Sequence, residues 1–355
     1  MYKNFILLSI IYLISSCSAP VEKEPKVKNI ILMIGDGMGV TQIYAGYTAN
    51  KGKLNLENAT YVGFSKTYSA NSYITDSGAG GTAISTGVKT KNGAIGVDTM
   101  GQPVKTILES AKENGLATGL VATSAITHAT PASFIAHVPD RNEYVTIARD
   151  FIGSDIDIFI GGGKEFFEGK EENISDDLRK QGYRIGYNLD SINPDDTANI
   201  GCLAADDGLP RMLDGRGDYL PEATDIALKK LSQSDKGFFI MIEGSQIDWG
   251  GHDKDIDYVV TEMLDFDKAI GEAFAFADKN PGTLVIVTAD HETGGLSIIG
   301  GDLATGEMTT NFSTDHHSSV MVPVFAYGTG AEEFAGIYEN TDIYHKMMKV
   351  FGFEE

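Results

Sequence analysis

The sequence predicts an α/β fold around a mostly parallel sheet covered on both faces. Three observations predict it. Residues 29–34, 238–242 and 283–288 are near-continuous apolar runs, the pattern of strands buried on both faces rather than on one. Each run leads into a carboxylate, at Asp36, Glu243 and Asp290, and open α/β sheets bind their ligands beyond the carboxyl ends of their strands. Helical segments lie between the runs, among them 104–114, closed by Gly115, and 258–277, with Met263, Phe266, Ile270 and Phe274 on one stripe. That stripe reads as core.

The N-terminus reads as a targeting segment, outside the fold. Lys3 supplies a positive region, Phe5 to Ile14 an apolar stretch too short to span a bilayer, and Ile14-Ser15-Ser16-Cys17 resembles a bacterial lipobox. Residues 1–16 are then a lipoprotein signal peptide, and Cys17 is the lipidated first residue of the mature chain. The alternative is an ordinary secretory signal cleaved near Ser18 or Ala19. Residues 17–28, with Pro20 and Pro25 among mixed charges, read as a tether. Cys17 and Cys202 are the two cysteines, which gives no disulfide framework.

The remaining chain, 29–355, is long enough to bury a large core, as one large α/β domain or two smaller ones, in a sequence with 42% hydrophobic content over its 355 residues. The formal charge of -22 over the full sequence argues against nucleic acid as a partner, because no basic patch offsets phosphate repulsion. Bound cations would still let so acidic a protein take an anionic substrate.

In order, strand 29–34 runs into Gly35-Asp36-Gly37-Met38-Gly39. This is not the G-x-G-x-x-G dinucleotide spacing, and a carboxylate between glycines repels pyrophosphate, so Asp36 reads as a metal ligand. Residues 73–90, YITDSGAGGTAISTGVKT, centre on Ser77 at the start of a small-residue helix. Ser77 or Asp76 can simply cap that helix. Equally, a hydroxyl there lies among unpaired amides that suit a phosphate. After strand 117–123 comes Thr127-His128-Ala129-Thr130-Pro131, where Pro131 fits the first helical position, Thr130 is an N-cap or a ligand, and His128 stays open. Arg141 lies beside Asp140 and Glu143, a setting typical of surface ion pairs. Residues 151–160 read as a strand ending in three glycines that lack Walker spacing and form a turn. The polar stretch 164–235 is assigned weakly, as an insertion with one helix at 223–231. Beyond Glu243, EGSQIDWGGHD sets Asp248 and His252 four residues apart, one helical turn, close enough to share a metal. Strand 283–288 leads into Asp290-His291-Glu292-Thr293-Gly294-Gly295, and 313–319 offers His316 or His317 before a last strand, 320–327.

Together these motifs resemble the bacterial alkaline phosphatases of the metal-dependent, serine-nucleophile kind, and are similar to the small cold-adapted members. GDGMG, TDSGAGGTAISTGVKTKNGAIGVD, ATPASFIAHVPDR, EGSQIDWGGHD, TADHETGG and VPVFAYG occur in the family's order. The resemblance covers 29 to the C-terminus and is thin across 164–235. It implies a three-layer α/β/α sandwich and hydrolysis of phosphate monoesters through a phosphoserine on Ser77, at a site of two zinc ions and one magnesium. It also implies the ligands. Asp36, Ser77, Asp290 and His291 match the second zinc site; Asp248, His252 and His317 match the first; Asp36, Thr130 and Glu243 match the magnesium site. His317 is preferred to His316 because it keeps the family's distance to Ala326. Arg141 matches the arginine that grips two phosphate oxygens. His128 and Trp249 stand at variable positions around the third metal and phosphate, where the enteric pattern has Asp and Lys. His317-Ser318-Ser319 replaces the usual His-Thr-Gly. A homodimer, and an exported protein held by lipid at the periplasmic or cell-surface face of a membrane, complete the expectation. The alternatives are a related metal-dependent phosphodiesterase or a sulfatase, though neither cysteine lies in a sulfatase signature. A phosphate-binding lipoprotein without activity has no use for a nucleophile in a metal cage.

Overall fold

The computed structural model describes residues 27–170 and 172–354. The expected signal peptide, Cys17 and nearly all of the tether lie outside the described residues. Among the described residues fourteen strands form: β1 (Asn29–Gly35), β2 (Tyr61–Lys66), β3 (Ala117–Ala125), β4 (Ile158–Gly162), β5 (Arg184–Gly186), β6 (Ile200–Leu203), β7 (Phe238–Gly244), β8 (Thr283–Thr288), β9 (Glu292–Thr293), β10 (Leu296–Asp302), β11 (Glu307–Phe312), β12 (His317–Ser318), β13 (Val322–Gly328) and β14 (Gly336–Glu339). Ten of them make one sheet in the order β14-β2-β13-β8-β1-β7-β3-β4-β6-β5. Only β13 in it runs antiparallel to its neighbours. Two further ribbons, β10-β11 and β9-β12, stand apart.

Side chains alternate across a strand, so β1 feeds two cores. Ile30, Leu32 and Ile34 join one with Ile84, Leu108 and Ile343, from helices Ser77–Thr86, Ile107–Glu113 and Asn340–Phe351. Ile31 and Met33 join the other with Met263, Phe266 and Ile270 of helix Ile256–Lys279. Helices therefore cover both faces of the sheet, the three-layer arrangement expected. No helix among the described residues is long and apolar enough to cross a membrane.

Some local expectations fail for physical reasons. The strand expected over 151–160 is only β4: Phe151 ends helix Tyr144–Asp150, and a turn with Gly153 and Asp155 at positive φ takes up its first half. The buried Phe151 and Ile156 mimic a strand because they pack under that turn. Thr130 is not an N-cap; the short helix Ala129–Ala132 starts two residues before Pro131, with His128 at the N-cap position. The last large strand begins at Val322, and Val320 and Met321 are exposed. The weakly read 164–235 extends the sheet through β5 and β6 and lays helix Tyr219–Leu231 against β3 and β4.

Register positions the site. Ile34 of β1 lies level with Glu243 of β7 on one side and with Thr288 of β8 on the other. Asp36 and Asp290, each two residues further on, thus emerge together at the carboxyl edge of three adjacent central strands.

Candidate active site

Asp36, Glu243 and Asp290 are fully buried at that edge. Strand β7 leads into helix Gln246–Asp253, which packs against the β1 turn at Gly37 and carries Asp248 and His252 on successive turns. Gly37 makes the approach possible. At φ +72°, it would place a Cβ 2.7 Å from Asp248 Cα and 2.8 Å from Thr293 Oγ1, so only glycine fits. Ser77 opens helix Ser77–Thr86 from the other side; Asp76 is its N-cap, accepting from the Ala79 amide at 3.0 Å. The capping reading therefore holds for Asp76, and Ser77 is free for another task. Its Oγ lies 3.2 Å from His291 Nε2.

Three histidines present the same edge inward. His252 Nδ1 donates to the Asp315 carbonyl at 2.7 Å and His317 Nδ1 to the Thr75 carbonyl at 2.8 Å. Thr293 Oγ1 gives its proton to Asp248 Oδ1, so at 3.3 Å it accepts from His291 Nδ1. With each Nδ1 proton committed, each ring when neutral points a lone pair from Nε2 into the site, the arrangement outer partners impose on metal-binding histidines. His252 Nε2 and His317 Nε2 are 3.2 Å apart. Two lone pairs so close need a cation between them, a proton or a metal.

The carboxylates ask for the same thing. Asp36 Oδ1, Glu243 Oε1 and Asp290 Oδ2 are buried without a hydrogen-bond partner, which is costly unless an ion completes them. Burial pushes the Asp290 and Glu243 carboxyls up to about 7, and burial with the Asp290 charge raises Asp36 well above the usual carboxylate range. Burial pushes Asp248 up too, but the hydrogen bond from His252 and the charges of His291 and His317 outweigh it and hold the carboxyl low. His252 in turn is lifted to about 9, chiefly by that bond. Three groups of donors each lie within 4.8 Å: Asp248, His252 and His317; Asp36, Asp248 and His291; Asp36, His128 and Glu243. Hard carboxylates mixed with imidazoles suit zinc and magnesium, so the residues fit divalent metals.

Apart from Cys17, every site residue expected from the sequence is described, and the fold brings the set to one edge of the sheet. Thr130 Oγ1 donates to Asp36 Oδ2 at 3.3 Å, and Glu243 also accepts from Ser245 and Ser124. His128 lies edge-on to Trp249, ring centres 6.0 Å apart, and accepts from Arg141 at 3.4 Å. Burial and the Arg141 charge push His128 down to about 4. Arg141 does not pair with Asp140 or Glu143 as its neighbourhood suggested. Its Nη1 binds Asp76 Oδ2 at 3.0 Å, and that same oxygen takes the Gly93 amide at 2.9 Å. His316 is turned to solvent, with its side chain 83% exposed, whereas that of His317 is 14% exposed. Sequence reasoning missed Thr293 and the anchoring role of Asp76. Both sit beside recognised motif residues, but their partners are 45 and 65 residues away, and nothing local announces them.

The family described as alkaline phosphatase matches residues 27–311. Alkaline phosphatase 3 of Bacillus subtilis (strain 168) is 45% identical over 292 residues, 78% of this chain and 63% of that relative. The chain thus spans somewhat less than two thirds of that curated relative's length. The alkaline phosphatase from the Antarctic bacterium TAB5 superposes with a TM-score of 0.88 at 44% identity, covering 94% of this chain and 100% of that one. A histidine-to-aspartate mutant of the TAB5 protein, with Mg bound in its M3 site, aligns with the same TM-score at 43% identity and the same coverage of both chains.

Proposed function

Because the chain belongs to the alkaline phosphatase family, we propose that it hydrolyses phosphate monoesters to alcohol and phosphate, with Ser77 as nucleophile. One observation carries the reading: a buried serine hydroxyl at a helix N-terminus, 3.2 Å from His291 Nε2, in a cluster of unpartnered carboxylate oxygens and converging imidazoles. A capping serine needs none of this.

Asp248, His252 and His317 would hold the first zinc, and Asp36, Asp290 and His291, with Ser77, the second. Asp36, Thr130 and Glu243 would hold magnesium, with His128 and Trp249 lining that third site; the Mg in the TAB5 mutant supports the choice of ion. Zinc bound there supplies positive charge that lowers the pKa of a hydroxyl or water and offsets charge on the leaving oxygen. The chain's own residues do the rest. Ser77 Oγ attacks phosphorus in line; the new serine ester bond forms as the substrate's P–O bond breaks and its alkoxide leaves. The proton Ser77 gives up passes through solvent to the departing alkoxide; water then attacks the phosphoserine, its oxygen going to the phosphate that leaves and one of its protons to the serine oxygen. Arg141, steadied by Asp76, donates from its planar fork to two non-bridging oxygens. The first amides of helix Ser77–Thr86 add their positive end. Residues 29–355 act here as one catalytic unit. The lipobox-like run at Cys17 supports an exported lipoprotein, and family membership supports a homodimer; acyl labelling that Cys17→Ala abolishes, and light scattering, check these two.

Hydrolysis of p-nitrophenyl phosphate at alkaline pH tests the reaction. Activity should vanish on chelation and return with zinc plus magnesium. A fully metal-loaded protein that cleaves diesters or sulfate esters but no monoester contradicts the reading.

A further inference from the structure

Glu292 directly follows His291 in the chain, yet belongs to none of the three donor groups found among the described residues. The residue is 4% exposed, and four donors converge on its carboxylate: Gln42 Nε2 at 2.7 Å, the Leu296 amide at 3.1 Å, the Gly295 amide at 3.3 Å and the Ser318 hydroxyl. That many donors satisfy a buried anion without a cation. Room for it comes from Gly39, where a Cβ would sit 2.4 Å from Glu292 Cγ. The last glycine of GDGMG is therefore the space into which this glutamate packs.

The donors come from three separate segments. Gln42 belongs to helix Val40–Ala49, which follows the Asp36 turn, and it also donates to the Thr293 carbonyl at 2.7 Å. Gly295 and Leu296 lead out of β9. Ser318 belongs to β12, directly across from Glu292, and the next pair in that register is Thr293 with His317. A ribbon of two residues per strand has little pairing strength of its own, so side-chain contacts must hold its register. Glu292 makes the side-chain hydrogen bond across the ribbon, to Ser318, one residue from His317.

We propose that Glu292 is a positioning residue for the first metal site: by gathering Gln42, Ser318 and the turn amides, it fixes the β9-β12 ribbon and so the ring of His317. The inference rests on the reading of His317 as a metal ligand. Outer partners of this kind typically change metal affinity by about 10- to 100-fold when removed.

The test follows zinc release from the zinc- and magnesium-loaded enzyme into excess chelator, for the wild type, Glu292→Gln, Ser318→Ala and Ser318→Thr, with melting temperatures alongside. Glu292→Gln and Ser318→Ala should release one zinc per chain about 10- to 100-fold faster and leave the other slow. High free zinc should restore their kcat, with KM unchanged. Ser318→Thr keeps the hydroxyl and should behave as the wild type. Release at the wild-type rate from folded Ser318→Ala, or equal acceleration of both ions, overturns the inference while leaving the metal reading intact. A wild type that holds no zinc overturns both.

Discussion

At the residue scale, the site is a set of side chains whose free valences all face one small volume. Asp36, Asp290, His291, Asp248 and His252 were legible because each follows an apolar strand or sits one helical turn from another ligand. Which of His316 and His317 serves was not legible from composition; the fold separates them by exposure and by the Thr75 carbonyl that orients His317. Arg141 is the sharper case. Its sequence neighbours are acidic and irrelevant, and its partner Asp76 is brought in by tertiary packing. Two parallel N–H donors on one plane cannot be reproduced by an ammonium. Arg141→Lys should therefore lower kcat/KM for monoesters by about 10- to 100-fold with zinc content unchanged, as steady-state kinetics and metal analysis would show; unaltered kinetics would remove the arginine from phosphate recognition.

At the element scale, short segments are held to the scaffold by single polar links. The segment that carries Arg141 is tied down by the bridge between Ile95 and Val138 and by His137. His137 binds the Gly96 carbonyl at 2.6 Å through Nδ1 and Glu109 at 3.1 Å through Nε2. Two acceptors favour the imidazolium, and the bond to Glu109 raises His137 above its ordinary 6.5. A raised histidine adds stability that is complete below pH 6.5 and is lost as pH climbs through the folded-state value. Glu109→Gln should shift the His137 titration, followed by NMR, down toward 6.5 and remove that slope from the stability curve. An unmoved titration would mean the link does not operate. Thr106, the N-cap of helix Ile107–Glu113, was not picked out, though Thr106 and Glu109 form a capping box that sequence spacing can show. The β9-β12 ribbon was invisible, since two-residue strands carry no periodicity.

At the scale of the whole molecule, the sheet was legible and its edges were not. Strands buried on both faces announce themselves as apolar runs, so β1, β7 and β8 emerged with their ends nearly right. The β6-β5 edge did not, because strands of four and three residues in a polar stretch look like loop. The central strands also concentrate negative charge at one place, which sets how stability depends on pH and metal. Without metal, Asp290 and Glu243 titrate near 7 because of burial, and Asp36 is raised as well. At these three carboxyls the native state holds more protons than the unfolded chain, whereas the lowered His128, His291 and His317 hold fewer up to about pH 6.5 and oppose that slope, so stability falls as pH rises from about 6.5. His252 adds to the fall above 6.5, through its folded value of about 9. Bound cations favour the ionised carboxylates and reverse the trend. The melting temperature of chelated protein should drop across this range, and its gap to the zinc-loaded protein should widen; parallel curves would contradict a metal site built from these groups.

The most direct measurement is to mix metal-loaded protein with a phosphate monoester at mildly acidic pH, quench with strong acid, and locate any phosphoryl group by peptide mass spectrometry. One phosphoryl group on the peptide carrying Ser77, absent from Ser77→Ala, which should also lose more than about 10²-fold in kcat, is the predicted result. Wild-type turnover by Ser77→Ala, with Ser77 never phosphorylated, would contradict the account.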